Sequence, residues 1–95
     1  MPKYIIERDF PGAGNLTPEE LHDIAKQSCE VLSGDLGNGY HWIESFVSDD
    51  KIYCVHVAPN EDAVREHARK GGFPADKVSE VKAVIDASTA EPIRA

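Results

Sequence analysis

At the centre of this 95-residue chain, residues Tyr40 to Val57 read YHWIESFVSDDKIYCVHV. Two runs rich in aromatic and β-branched residues flank the polar segment Ser48-Asp49-Asp50-Lys51. Runs of this composition favour strands, and a short polar segment between two of them favours a tight turn. The segment therefore predicts a β-hairpin with strands at 40–48 and 52–57.

The two faces of this hairpin differ in character, because successive side chains of a strand point to opposite sides. Pairing Ser48 with Lys51 across the turn places Ser45 opposite Cys54. One face is then small and β-branched, which suits a face beneath helices, and it carries Ile43, Ser45, Val47, Ile52, Cys54 and His56. The other is more aromatic, which suits burial against a second copy of the chain, and it carries Trp42, Glu44, Phe46, Tyr53, Val55 and Val57.

A helix is predicted on each side of the hairpin in the sequence. The segment LTPEEL at 16–21 has Thr17 as a cap, a proline at the first helical position and Glu20 to complete a capping box. After the hairpin, Asn60 caps a second helix, which Gly71-Gly72 ends. The residues in between are apolar at helical spacing, so each helix presents one face to a core.

Two further strands complete the predicted order of strand, helix, strand, strand, helix, strand. They lie at Lys3 to Arg8 and at Val78 to Ile85. With right-handed crossovers this order predicts an α+β, ferredoxin-like βαββαβ sandwich, an antiparallel sheet with both helices on one face. Residues 1–86 form the predicted domain and 87–95 a polar tail. The bare face of the sheet predicts a homodimer.

The composition excludes several classes of partner. Ten Lys and Arg against 17 Asp and Glu give a net charge of −7, and no basic run exists to neutralise phosphates, so neither nucleic acid nor an anionic membrane is expected. The N-terminus lacks the pattern of a signal peptide, which predicts the cytoplasm and free thiols at Cys29 and Cys54. The glycine-rich segment Gly34 to Gly39 follows a helix rather than preceding one, so we interpret it as a plain loop and not a phosphate cradle.

His67 is the most informative single residue. It shares the apolar face of the second helix with Val64 and Ala68, so its imidazole faces the sheet. One interpretation is a core histidine that is hydrogen-bonded to a backbone carbonyl or to Ser45. The other is a metal ligand, with Cys54 as a neighbouring thiolate. A catalytic Cys54–His67 couple is a further alternative, although no oxyanion hole accompanies it.

Other candidates lie close to this pair. Glu7, near the end of the first strand, is either a solvated edge residue or the carboxylate of the same site. His56 shares a face with Cys54 at a spacing of two, which is compatible with one metal site. No Cys-x-x-Cys pair and no His-Glu-x-x-His helix occurs, so the residues alone suggest a metal without specifying one.

The order of several short segments resembles a known family. The segments are Tyr4 to Arg8, Pro11-Gly12, Leu16 to Leu21, Trp42 to Val47, Asp49 to Val55, Ala58-Pro59, Glu66-His67-Ala68 and Gly71 to Ala75. Together they resemble a family of small bacterial ferredoxin-like proteins of unassigned role that includes a nickel-binding protein. The resemblance implies a homodimer that binds nickel inside each subunit through one nitrogen, one sulfur and several oxygen ligands. On this basis His67 is the candidate nitrogen ligand, Cys54 the sulfur ligand, and Glu7 and Ser45 the protein oxygens. Relatives often carry an aromatic residue in place of His56, which argues against that histidine as a ligand.

Three functions follow from these observations. The first is a small metal-binding protein that sequesters or delivers nickel, although mixed nitrogen, sulfur and oxygen ligation suits other divalent metals as well. The second is a cofactor-free monooxygenase-like enzyme, which requires an apolar pocket open to solvent and for which His67 is the candidate base. The third is a dimeric interaction module in which Cys54 and His67 are ordinary core residues.

Overall fold

Six elements follow one another in the predicted order. The computed structural model describes residues 1–34 and 39–93, so most of the loop predicted at 34–39, and the last two residues of the predicted tail, lie outside the described residues. The elements are β1 (Lys3–Asp9), α1 (Pro18–Leu32), β2 (His41–Val47), β3 (Lys51–Val57), α2 (Glu61–Gly71) and β4 (Lys77–Glu80). Short 3₁₀ turns lie at Ala13–Asn15 and Ala87–Ala90.

The four strands form one sheet in the order β2-β3-β1-β4 with antiparallel neighbours. Every second residue of β1 and of β3 is buried, among them Ile6 and Cys54, which lie opposite each other. This alternation gives the sheet one face beneath the helices and one uncovered face. The predicted α+β ferredoxin-like fold is confirmed.

The ends of the helices follow local rules. Thr17 and Glu20 form both hydrogen bonds of the predicted capping box, and the Asn60 side chain accepts from the backbone of Ala63. Gly72 ends α2 with a φ of 71°, a left-handed conformation that a residue with a Cβ atom adopts only with strain. These caps satisfy backbone groups that would otherwise have no partner within the helix.

The two helices are packed unequally against the sheet. Val64 of α2 is fully buried and lies in the core cluster with Ile6, which is also fully buried. In α1, by contrast, Ser28 is the single buried side chain, and Leu21 remains 36% exposed. The sheet and α2 therefore supply most of the core, and space remains beneath α1.

The hairpin register was predicted correctly near the turn and wrongly at the start of β2. Ser45 lies opposite Cys54 as expected, but Trp42, and not Ile43, lies opposite His56. An irregularity between Trp42 and Glu44 adds one residue to β2, and such a bulge exchanges the faces of the residues that precede it. Trp42 consequently lies on the helix-covered side, while Ile43 is 54% exposed.

Strand β4 is shorter than the predicted span of Val78 to Ile85. Its pairing with β1 ends where Val81 N–H donates to the carbonyl of Lys3, the first residue of β1. Beyond that point no residue of β1 remains to pair with. Val84 and Ile85 are accordingly more than 70% exposed, and the chain continues to the 3₁₀ turn at Ala87–Ala90.

Neither helix in the described part of the chain has the length and apolar character that crossing a bilayer would require.

Candidate functional site

Three aromatic rings stack between α2 and the sheet, with His67 in the middle. Its ring lies 5.3 Å from that of Tyr40 and 5.7 Å from that of Phe73, both within 25° of parallel. Phe73 reaches this position because the chain turns back at Gly72, directly after α2. His56 of β3 approaches His67 edge-on, with ring centroids 5.0 Å apart. Two histidines therefore lie side by side in the core.

His56 shares a hydrogen bond with Tyr40. Tyr40 Oη lies 2.5 Å from His56 Nδ1, and both residues are buried. Burial raises the pKa of the Tyr40 hydroxyl well above its ordinary value, so the phenol keeps its proton. A protonated phenol can donate to or accept from a neutral imidazole, so this contact satisfies Nδ1 in either tautomer of His56.

His67 is only partly satisfied. Its Nε2 lies 3.1 Å from the Ser28 hydroxyl of α1, whereas its Nδ1 is buried and has no hydrogen-bond partner within the described residues. Burial, with the nearby positive charge of Arg8, lowers the pKa of His67 to about 4. Burial, with the charges of His67 and Arg8, lowers the pKa of His56 to about 3. Both imidazoles are therefore neutral at physiological pH.

Cys54 lies beside the histidines and receives two hydrogen bonds. Ser45 Oγ donates at 2.9 Å and Arg8 Nε donates at 3.3 Å to its sulfur. The Ser45 hydroxyl in turn accepts a hydrogen bond from the indole nitrogen of Trp42 at 2.9 Å. This chain of contacts exists because the bulge in β2 has moved Trp42 to the helix-covered face.

Arg8 is the unexpected member of the site. It points inward from β1 and is only 4% exposed. Besides its contact with Cys54, its Nη1 donates to the Pro74 carbonyl at 2.6 Å, and its guanidinium lies 5.5 Å from the centre of the Phe73 ring. No carboxylate pairs with Arg8 anywhere in residues 1–34 and 39–93. A buried charge without a counter-charge is costly, so Arg8 requires an explanation.

A cavity of about 290 Å³ opens beneath α1 and joins these side chains. It reaches the surface, since the partly exposed residues Leu21 and Val47 line it. Most of its remaining wall is apolar, and its polar lining comes from Arg8, Ser28, Ser45, Cys54, His56 and His67.

Comparison with known proteins places the chain in a family. The family model for SCO4226-like nickel responsive proteins matches residues 4–81. The chain belongs to the SCO4226-like family. The predicted resemblance is therefore confirmed at the level of the family.

A solved structure also shares the fold of this SCO4226-like chain. The crystal structure of SCO4226 from Streptomyces coelicolor A3(2) aligns with a TM-score of 0.72 and 20% sequence identity, over 87% of this chain and 99% of that one. No curated protein matches the sequence.

Of the four metal ligands predicted from sequence, the fold of this SCO4226-like chain brings three together. Cys54, His67 and Ser45 all line the cavity. Glu7 does not join them, because it lies on the uncovered face of the sheet, where its carboxylate pairs with Lys51 at 3.6 Å. Within the described residues, no group of three or more His, Cys, Asp or Glu side chains is close enough to hold a metal ion.

The structure of this family member also limits the catalytic alternatives. The hydrogen-bond partners of the Cys54 sulfur are Arg8 and Ser45, and that of His67 is Ser28. A thiolate–imidazole couple requires a hydrogen bond between sulfur and ring, and the described part of the chain has none.

Arg8 and Tyr40 are site residues that the sequence patterns did not identify, whereas His56 was recognised as compatible with the site and then set aside as a ligand. The signal for Arg8 was the alternation of β1, since Arg8 shares the parity of Tyr4 and Ile6. The signal for His56 was its spacing of two from Cys54. Neither pattern identifies the contacts, which join residues from separate elements.

Proposed function

We propose that this chain binds nickel, for sequestration or delivery in the cytoplasm, with His67 as the nitrogen ligand and Cys54 as the sulfur ligand. The observation that carries the proposal is the buried Nδ1 of His67, which has no hydrogen-bond partner in the described residues. Buried polar atoms are nearly always satisfied, so an orphaned imidazole nitrogen in a nickel responsive family indicates a missing ligand. Residues 1–86 form the binding unit, and the tail at 87–95 lies outside it.

The chemistry of the donors fits a borderline metal such as nickel. A metal requires a neutral imidazole, and the lowered pKa of His67 keeps its ring neutral down to about pH 4. Imidazole and thiolate together suit late first-row metals, nickel and copper above all. The Ser45 hydroxyl, 2.9 Å from the sulfur, is the candidate protein oxygen, and water would supply further oxygen ligands. Two features disfavour a cation: the guanidinium of Arg8 beside the sulfur, and the lack, within the described residues, of a third His, Cys, Asp or Glu side chain close to these donors.

Calorimetry on metal-stripped protein under reducing conditions tests the proposal. We expect the wild-type chain to bind nickel at one site, and the variant with both His67→Ala and Cys54→Ser to bind about a hundredfold more weakly or not at all, since both donors are lost. The matched control carries His22→Ala and Cys29→Ser, which change the same residue types at exposed positions of α1. This control should bind as the wild type does. Full binding by the first variant would place the metal elsewhere and show that the proposed site is wrong.

We propose in addition that two copies of the chain pair through the uncovered face of the sheet. Phe46 is 55% exposed there, and Ile43 at 54% and Ile5 at 39% are further exposed apolar residues of this face. Exposed apolar side chains grouped on one face favour burial against a partner. In analytical ultracentrifugation we expect a dimer for the wild type and a monomer for Phe46→Glu at the same concentration. Val84→Glu, at a position that is 72% exposed and outside the sheet, should remain dimeric. A wild-type monomer would contradict the proposal.

The monooxygenase-like alternative is supported by one observation, the apolar cavity that reaches the surface. It is weakened by another. A general base is most effective when its pKa lies near the working pH, and that of His67 is lowered to about 4. Metal binding is therefore the better-supported function of the two.

A further inference from the structure

We propose that the cavity beneath α1 binds a small apolar monocarboxylate, with its carboxylate on the guanidinium of Arg8. This proposal shares its cavity with the proposed nickel ligands, but it rests on a different residue, Arg8, and on the shape of the cavity.

Arg8 brings a positive charge into the cavity without a counter-charge. The residue is only 4% exposed and it lines the cavity. No carboxylate of the described chain pairs with it. Its two hydrogen bonds go to a sulfur atom and to a backbone carbonyl, and Nη2 has none within residues 1–34 and 39–93. Guanidinium binds carboxylates through paired N–H groups, so a ligand carboxylate at Nη2 would supply both the missing acceptor and the missing counter-charge.

The charge of the cavity lining indicates how many charges the ligand carries. Among the described residues that line the cavity, Arg8 is the only cationic side chain, since both histidines there are neutral. A dianion such as phosphate would bring a second negative charge with no partner into a largely apolar space, at high cost. His56 adds a neutral polar side chain to the same cavity. The lining therefore matches a single negative charge.

The apolar wall and the volume of the cavity indicate the rest of the ligand. Apolar and aromatic side chains form most of the wall, including Phe10, Ile24, Trp42 and Phe73. A volume of about 290 Å³ accommodates a ring or a branched chain of a few carbon atoms, at the lower end of small-molecule pockets. The cavity thus combines an apolar space with one cation at its wall, which is the pattern of an aromatic or branched monocarboxylate.

The test compares phenylacetate with its uncharged analogue phenylacetamide on protein that is free of metal and of chelator. Trp42 is the single tryptophan of the chain and lines the cavity, so its fluorescence and its indole N–H resonance report binding directly. We expect phenylacetate to saturate the Trp42 signal and to bind about tenfold or more tightly than the amide, because only the acid pairs with Arg8. Equal binding of acid and amide would overturn the proposal, and so would the absence of saturation by phenylacetate at about 10 mM.

Three variants test where the two probes bind. Arg8→Met should lose the preference for acid over amide, whereas Arg65→Met, on the exposed side of α2 where Arg65 pairs with Glu61, should keep it. Ala25→Phe fills the cavity from α1 and should weaken both probes about tenfold or more. A preference for the acid that survives Arg8→Met would overturn the proposal. If Arg8→Met does not fold, the wild-type comparison of acid and amide together with Ala25→Phe decides the matter. Because no metal is present, failure of the nickel experiment leaves this result unaffected.

Discussion

Between pH 6.5 and about pH 4, the chain should lose several kcal/mol of its free energy of unfolding. His56 and His67 are each 1% exposed, and their pKa values in the fold are lowered to about 3 and about 4, against 6.5 for an ordinary histidine. The unfolded chain therefore takes up protons first as the pH falls below 6.5, while the folded chain resists them. Because only the unfolded state takes up protons in this range, acid favours unfolding. The contribution of the two neutral histidines to the free energy of unfolding is therefore fully present above pH 6.5 and is lost as the pH falls toward 3.

The expected size of this loss is large against the total. When the pKa of one histidine is two units lower in the folded chain than in the unfolded chain, the free energy of unfolding falls by about 2.7 kcal/mol across that pH range. Both buried histidines contribute. Small domains have about 5–15 kcal/mol of stability in all, so acid should unfold this chain well before its carboxylates are all protonated.

Urea unfolding followed by Trp42 fluorescence at about pH 7, 5.5 and 4.5 measures the effect. His56→Gln and His67→Gln keep a hydrogen-bonding side chain but do not titrate, so each should flatten the dependence of unfolding free energy on pH. His22→Gln, at an exposed position of α1, should leave that dependence as in the wild type. Parallel pH profiles for all four proteins would show that the buried pair does not control acid stability.

Gly71→Ala should destabilise the chain by about 1–3 kcal/mol, the range for overpacking a core. A Cβ atom at Gly71 would overlap the ring of Phe73, with Cδ2 only 2.6 Å away. That ring cannot move freely, since it packs against both the imidazole of His67 and the guanidinium of Arg8. The added methyl group therefore disrupts the ring stack of the site as well as the end of α2.

A double-mutant cycle identifies the cause of this loss. In the background of Phe73→Ala the overlap disappears, so Gly71→Ala should then cost little or become neutral. Gly34→Ala, just after α1, is the matched control, because a Cβ atom there meets nothing closer than 3.5 Å. Thermal or urea unfolding of the four proteins gives the coupling. An equal cost of Gly71→Ala with and without the Phe73 ring would show that the clash is not the reason.

The alternation of side chains between the two faces of a strand predicts part of the candidate site. Cys54 and Ser45 were placed on the helix-covered face because the turn at 48–51 sets the register, and the pairing of these two residues is as expected. The same parity, carried into β1, excludes Glu7 from that face, because Ile6 and not Glu7 lies opposite Cys54. The prediction of Glu7 as a ligand rests on the chemistry of its carboxylate, and chemistry alone does not determine the face on which a side chain lies.

Local sequence is enough to predict the order of the elements, their caps and the inward orientation of His67. These features depend on residues within a few positions of one another, through capping hydrogen bonds and hydrophobic periodicity. Packing between elements determines three further features: the bulge that brings Trp42 inward, the cavity beneath α1, and the burial of Arg8 without a carboxylate from the described residues. Arg8 contacts Cys54 and Pro74, which lie 46 and 66 residues away along the chain. Such contacts exist only once separate elements have packed, and no local pattern encodes them.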